Sequence, residues 1–320
     1  MIFVEAFAPV LFVDTVHPIL DEMLSQKGFD CIHVESKSVD EFKTELENCQ
    51  GLVIRSRFPV NEEFLLKCPN LKFIARSGAG MENIDIKQCN KLGIELFNSP
   101  EGNRNAVGEH ALGLLLSLLN KLHSADKEVK SGIWDRERNR GLELDGRTVG
   151  LIGFGNNGQA FAKKLRGFDV KILAYDKYKS DYSDEFVTES TLEEIQLNAD
   201  VISFHVPQNL ETIGYFDNEF LGKMKWPFFL LNVSRGKVVN SEIIVKGLKN
   251  GKILGTGLDV LDYENGTFEN TMLEIESNEL KYLLNSRQTL LTPHVAGWTE
   301  ESYMKLSKVL GDKILVKFST

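Results

Sequence analysis

Residues 148–176 read TVGLIGFGNNGQAFAKKLRGFDVKILAYD. An apolar run over Val149–Ile152, short enough for a buried strand, leads into Gly153-Phe154-Gly155-Asn156-Asn157-Gly158. A helical pattern follows, with Ala160, Phe161, Ala162 and Leu165 apolar, and a second apolar run, Val170–Tyr175, ends in Asp176. Strand, glycine loop, helix, strand and acid in this order describe a dinucleotide site. Gly153 permits the tight turn, Gly155 lets the backbone approach a pyrophosphate, and Gly158 lets helix and strand pack closely. The helix N-terminus offers unpaired N–H groups to the phosphates. Asp176 stands where a carboxylate accepts hydrogen bonds from a ribose 2′-OH. A glycine loop alone also serves as a plain turn; the two strands and the acid decide for the dinucleotide.

Outside this stretch, composition sets the limits. The 320 residues are enough for two domains with sizeable cores. A net charge of −9, without a Lys/Arg run, excludes a nucleic-acid footprint. The four cysteines, Cys31, Cys49, Cys68 and Cys89, form no CxxC pair. They suggest neither a metal site nor a disulfide framework, and read as reduced thiols of a cytoplasmic protein. The longest apolar stretch, Ala111–Leu119, is far below the roughly 20 residues of a membrane span. The apolar first residues lack a basic leader and are interrupted by Pro9, so no signal peptide is expected. Only one helix follows the last strand, and no appended regulatory domain is expected.

The first hundred residues alternate between short apolar runs and helical patterns. Strands are predicted at Val10–Val13, Cys31–Val34, Leu52–Ile54, Leu71–Ala75 and Ile94–Phe97, with helices at His17–Gln26, Val39–Glu47, Glu62–Lys67 and Ile84–Lys91. Asn98–Gly102 reads as a hinge, and a long helix is expected over about 106–130. After the glycine-loop unit come strands at Val201–Phe204, Phe228–Asn232, Ile253–Asp259 and Thr289–Thr292, then a C-terminal helix at about Glu300–Lys317. The pattern predicts an α/β fold of two doubly wound parallel-sheet domains. The first would comprise residues 1–98 with 299–320, and the second, which holds the dinucleotide, residues 99–298.

Ligands of an open parallel sheet sit beyond the carboxyl ends of its strands. In the second domain those ends carry the glycine loop, Asp176, His205-Val206-Pro207, Ser234-Arg235-Gly236, Asp259 and Pro293-His294. Polar or turn-forming groups at every end point to one cofactor crevice. Arg235 can grip a substrate carboxylate bidentately and polarise a neighbouring carbonyl. His294 can serve as general acid/base. A carboxylate from Glu264 would orient that imidazole and raise its pKa. Each alone has an ordinary structural reading: a turn arginine, a capping histidine, a solvated loop acid. Together, on loops at one sheet edge, they make a catalytic set.

These residues bring the chain to a family. It resembles the D-isomer-specific 2-hydroxyacid dehydrogenases over nearly its whole length, through RSGAGMENID (76–85), NSPEGNRNAVGEHALGLLL (98–116), GLIGFGNNG (150–158), HVP (205–207), LNVSRG (231–236), GLDVLDYEN (257–265) and TPHVAG (292–297). The resemblance implies a flavodoxin-like substrate domain and a Rossmann NAD-binding domain, with NAD as cofactor and no metal. It assigns substrate grip to Arg235, orientation to Glu264 and acid/base work to His294, and sets Asp259 on the nicotinamide carboxamide. Cofactor contacts are implied at Val107, Gly153, Gly155, Asn156, Asn157, Gly158, Asp176, His205, Val206, Pro207, Val233, Ser234 and Gly297. Substrate contacts are implied at Arg55, Ser56, Arg57, Ser77, Gly78, Ala79 and Gly80. A homodimer through the NAD-binding domain, using the long helix after Pro100, is also implied. The partner is a small 2-hydroxy or 2-keto acid, not a nucleic acid or a membrane.

The chain departs from the family pattern at Asn156-Asn157, at Glu82 in place of aspartate, and at Asn265 in place of proline. The connection between Glu264 and His294, including 269–285, is longer and more charged than the family's and reads as surface decoration, with cover for the active site as the alternative. Arg55 and Arg57, two residues apart past a strand end, resemble the phosphate clamp of phosphoglycerate dehydrogenases, and Arg76 is a third cation. The expected substrate is therefore 3-phosphoglycerate, a step of serine biosynthesis, with glyoxylate, hydroxypyruvate or a D-lactate-type acid as rivals. An NADH-sensing co-repressor, in which binding matters more than turnover, is the other function class. NAD is expected over NADP because Asp176 would face a 2′-phosphate, unless Lys177 or Lys179 neutralised it.

Overall fold

The computed structural model describes residues 7–264 and 277–318. The chain divides into two compact units: the residues up to Asn103 together with those from Trp298 onward, and Arg104–Gly297. The division falls inside a helix, five residues beyond the boundary expected at 98.

The first unit is built on β1 (Phe7–Phe12), β2 (Phe29–His33), β3 (Gly51–Ile54), β4 (Phe73–Arg76) and β5 (Glu95–Asn98). All neighbours pair in parallel, in the order β2-β1-β3-β4-β5, so the winding reverses between β1 and β3. Successive residues of a strand face opposite sides of the sheet. Accordingly Val10 and Phe12 pack in one core with Leu20, Leu24, Leu310 and Ile314. Leu11 and Val13 pack in another with Leu46, Leu52 and Ile74. Both faces are covered, so the strands read as unbroken apolar runs. The helix Glu300–Phe318 returns to this sheet through Leu310 and Ile314.

The second unit carries β6 (Thr148–Ile152), β7 (Lys171–Tyr175), β8 (Val187–Glu189), β9 (Val201–Phe204), β10 (Phe228–Asn232), β11 (Ile253–Leu258) and β12 (Thr289–Leu291). Its order is β12-β11-β10-β9-β6-β7-β8, again parallel throughout. Here the winding reverses between β6 and β9, which sets the glycine loop and His205-Val206-Pro207 at the crevice where such sheets bind dinucleotides. Leu114, Leu115 and Leu118 of the helix Pro100–Leu119 pack on one face with Val149, Leu151 and Leu231. Ile152, Ile202, Phe204 and Leu230 fill the other.

The structure differs from three expectations. Within Asn98–Gly102, read as a hinge, Pro100 opens a helix; its fixed φ suits the first helical position and its missing N–H is not needed there. Gly102 belongs to that helix, and a Cβ there would stand 2.7 Å from the Leu306 backbone, so close packing explains the glycine. The single helix expected at 106–130 is two, Pro100–Leu119 and Leu122–Lys130, parted by Lys121 in the left-handed region at φ +53°. The connection before β12 contains a helix, Asn278–Asn285, capped by Ser277 and burying Leu280 and Leu283. Asn265 and residues 269–276 of that connection lie outside the described residues.

Candidate active site

The glycine loop has the shape its sequence implies. Gly153 takes φ +95°, and a Cβ there would meet the His205 carbonyl oxygen at 2.8 Å. A Cβ on Gly158 would stand 2.2 Å from the Gly153 oxygen, so helix and strand approach only because both residues lack side chains. Above Gly155, by contrast, a Cβ would meet nothing within 4 Å. Gly155 precedes the helix Asn156–Leu165, whose first-turn N–H groups are therefore accompanied by open space for an anion. The Asn157 side-chain oxygen is buried without a hydrogen-bond partner among the described residues. The cradle fits a dinucleotide pyrophosphate.

Asp176, at the end of β7, is fixed by the backbone. Its carboxylate accepts from the Phe154 N–H at 2.8 Å and the Tyr178 N–H at 3.0 Å. The two neighbouring lysines are engaged elsewhere. Lys177 pairs with Glu211 at 2.9 Å, and Lys179 donates to the Phe154 carbonyl at 3.1 Å. Neither ammonium is paired with Asp176 among the described residues. On the opposite side of the switch point His205 is buried, with Nε2 at 2.8 Å from the Ser203 hydroxyl and Nδ1 without a partner among the described residues. Burial pushes its pKa down to about 3, so it is a neutral wall of the crevice and not an acid/base. Val206 is half-buried and Pro207 exposed. Val107 and Val233 lie in the unit's core, 4% and 5% exposed.

Arg235, Glu264 and His294 all stand beyond β10, β11 and β12. A Cβ on Gly236 would meet the Leu261 carbonyl oxygen at 1.8 Å, so the turn carrying Arg235 lies directly against the loop carrying Glu264. Ser234 is pinned by its N–H and hydroxyl donating to Asn232 Oδ1, and Arg235 Nη1 donates to the Ser234 carbonyl at 2.7 Å. Glu264 uses one oxygen to accept from the Leu261 N–H at 2.6 Å and the other to meet His294 Nδ1 at 2.7 Å. That contact fixes which ring nitrogen remains for chemistry: Nε2. His294 itself takes φ +55°, a strained conformation for a histidine. Asp259, 1% exposed, holds the strained turn. Its carbonyl accepts from the His294 N–H at 2.8 Å, and its carboxylate from Val295 N–H at 2.9 Å, Ala296 N–H at 2.8 Å and the Thr292 hydroxyl at 2.6 Å. A carboxylate has about four acceptor sites, so the expected grip on a carboxamide has only the remaining one on Oδ2. Gly297, after this turn, is half-buried.

In the first unit the expected Arg55/Arg57 clamp does not form. Arg57 Nη1 donates to the carbonyls of Val13 at 2.7 Å and Val34 at 3.2 Å, and Nη2 to that of Lys37. Its fork is consumed in tying three chain segments together. Arg55 instead lays its guanidinium over the Trp298 ring, 4.2 Å from the centroid. Asp14, just beyond β1, accepts from the N–H groups of Arg55 at 2.6 Å and Arg57 at 3.2 Å and so sets the turn through Ser56. Arg76 is the register partner of Ile54, which places Arg55 and Arg76 at adjoining strand ends. The loop Ser77-Gly78-Ala79-Gly80 is held by its neighbours. The Gly78 N–H donates to the Ser99 hydroxyl at 3.3 Å, and Asn98 donates to the Ala79 carbonyl at 2.7 Å. The Arg76 guanidinium occupies the space where a Gly78 side chain would stand. Sequence reading missed Asp14 and Trp298, although Asp14 follows a strand whose end deserved the same scrutiny as the others.

The sequence model of the D-isomer specific 2-hydroxyacid dehydrogenase NAD binding domain matches residues 112–296. The chain belongs to the D-isomer specific 2-hydroxyacid dehydrogenase family. It is 34% identical over 277 residues to a hydroxypyruvate reductase of Thermotoga maritima, covering 86% of this chain and 87% of the relative. It is 31% identical over 303 residues to a D-3-phosphoglycerate dehydrogenase of Archaeoglobus fulgidus, covering 93% of this chain and 55% of the relative. The chain thus spans about half the length of the phosphoglycerate dehydrogenases it matches. Among solved structures, a D-lactate dehydrogenase from Aquifex aeolicus, complexed with NAD and lactic acid, superposes with a TM-score of 0.81. That pair is 29% identical, covering 96% of this chain and 95% of that one. As a family member the chain carries an NAD-binding domain, and the family's enzymes are oxidoreductases acting on CH–OH donors.

The buried His205 gives a pH signature. Its folded pKa, about 3, lies below the ordinary imidazole value near 6.5, so the unfolded chain takes up a proton that the folded chain refuses. Its contribution should make stability fall as pH drops through about 6.5 toward 3. His205→Asn should flatten the dependence of the urea midpoint on pH between 7 and 5, roughly the upper part of that window. Parallel slopes for variant and parent would contradict this origin.

Proposed function

We propose that the protein catalyses reversible hydride transfer between NAD and carbon 2 of a D-2-hydroxy acid. The observation that carries the reading is the 2.7 Å contact between Glu264 and His294 Nδ1, beside the Arg235 turn, at the carboxyl edge of the NAD-binding sheet. When bound, the nicotinamide supplies the hydride acceptor or donor. Everything else falls to the chain. Nε2 of His294 takes the hydroxyl proton in oxidation and returns it in reduction, while Glu264 holds the ring and stabilises its protonated form. Arg235 grips the substrate carboxylate and polarises the reacting carbonyl. In the first unit, the backbone of Gly78–Gly80, with Ser77, is assigned to substrate binding. The glycine loop takes the pyrophosphate, Asp176 the ribose hydroxyls, and Asp259 the carboxamide through its remaining acceptor site.

For the substrate we favour 3-phosphoglycerate and its 2-keto partner. Arg55 and Arg76 at adjoining strand ends supply two cations in place of the expected Arg55/Arg57 pair, and relatives such as that of A. fulgidus carry the phosphoglycerate dehydrogenase name. The commitment of Arg57 to three carbonyls supports a second reading, an unphosphorylated acid such as hydroxypyruvate, glyoxylate or D-lactate. A homodimer through the NAD-binding unit belongs to the same reading. Trp134, 80% exposed, and its neighbours Ile133 and Val129 are apolar surface that such a contact would cover.

Two measurements check this assignment. His294→Ala should lower kcat by on the order of 10²–10⁴ on a panel of these acids, with NADH binding retained; near-normal turnover would remove His294 from the chemistry. NAD(H) should be preferred to NADP(H), since Asp176 meets a 2′-phosphate as like charge and both nearby lysines are engaged elsewhere. In equilibrium titrations Asp176→Ser should bind NADPH more tightly and NADH more weakly than the parent. Parent protein that binds NADPH as well as NADH would overturn that role.

A further inference from the structure

The helix Pro100–Leu119 carries one imidazole, His110, which the proposed chemistry does not use. Its Nε2 lies 2.9 Å from the Thr292 hydroxyl and 3.5 Å from Asp259 Oδ1, bridging 182 residues of chain. The Thr292 hydroxyl has one proton, and at 2.6 Å from Asp259 Oδ1 that proton goes to the carboxylate. The hydroxyl oxygen then accepts, which makes His110 Nε2–H the donor. The result is a network that converges on Asp259: His110 donates to Thr292, Thr292 donates to the Asp259 carboxylate, the Val295 and Ala296 N–H groups donate to the same carboxylate, and the His294 N–H donates to the Asp259 carbonyl.

This network bears on a conformation that does not hold itself. His294 at φ +55° is strained for a residue with a side chain, and the conformation persists only while surrounding contacts over-determine it. Asp259 supplies those contacts from a site that is 1% exposed, where an anion needs donors on every side. Two of its donors are the amides of the turn. The third is Thr292, whose own orientation depends on His110. We infer that His110 and Thr292 are positioning residues: they aim the Asp259 carboxylate at the turn and thereby keep the His294 imidazole on Glu264. The inference rests on His294 being the acid/base only for its effect on turnover; its effect on the ring's position is independent of that.

The test uses His110→Leu, which removes the donor, His110→Gln, which restores an N–H, and Thr292→Val, which keeps the shape and removes the hydroxyl. The protein has six histidines, so side-chain NMR of the histidine-labelled chain can follow the His294 imidazole, assigned by its loss in His294→Ala. In His110→Leu and in Thr292→Val that signal should move, and in His110→Gln it should return toward the parent position. In turnover, the Leu and Val variants should each lose about 5- to 150-fold in kcat, the range for leaving a buried hydrogen-bonding group without its partner, with substrate KM changing far less. The double variant His110→Leu/Thr292→Val should lose no more than the worse single, because both break one chain. An unmoved His294 signal in both single variants overturns the inference, as does kcat loss that is additive or that glutamine does not relieve. A moved signal with unchanged turnover would instead retain the positioning and reject His294 as the acid/base.

Discussion

A buried aspartate holding a left-handed histidine is the constraint on which the site depends. Asp259 spends its carbonyl on the His294 amide and its carboxylate on the two amides that follow. Without those bonds the turn after β12 has no reason to keep a non-glycine residue at φ +55°. With them, the imidazole meets Glu264 through Nδ1. Glu264 is set in turn by the Leu261 amide, and the Leu261 carbonyl lies against Gly236, next to Arg235. The three chemical groups are thus positioned by backbone contacts between consecutive strand-end loops. A parallel sheet arranges for those loops to lie side by side, and small residues let them touch.

The same economy governs the cofactor cradle. Two glycines are required because neighbouring carbonyls stand where a Cβ would be, while the space above the third, Gly155, is open. Asp176 is aimed by the Phe154 amide of the loop it serves. The glycine loop and Asp176 therefore form one hydrogen-bonded piece.

Much of this was legible in the amino-acid order. The alternation of apolar runs gave both sheets, and the habit of placing chemistry at strand ends found Asp176, Arg235, Asp259 and His294 without coordinates. Spacing could not reveal how donors are shared. Arg57 looks like half of an anion clamp because it stands two residues from Arg55. Only the fold brings the Val13, Val34 and Lys37 carbonyls within its reach. His110 sat inside an apolar helix, where its meaning comes from Thr292, 182 residues away. The break at Lys121 escaped because a lysine does not announce a left-handed residue as glycine does. The strand β8 escaped because Val187 is the one apolar residue of Val187–Glu189, too little to make a pattern.

In the proposed reaction Glu264 and His294 act as one unit, the carboxylate holding the ring whose Nε2 moves the proton. Turnover of Glu264→Gln, set beside its NADH binding, separates the pair from two unrelated residues. Glutamine can still meet Nδ1 but carries no charge to balance a protonated ring, so kcat should fall by on the order of 10-fold or more while NADH binding is retained. Turnover close to that of the parent would contradict the pairing.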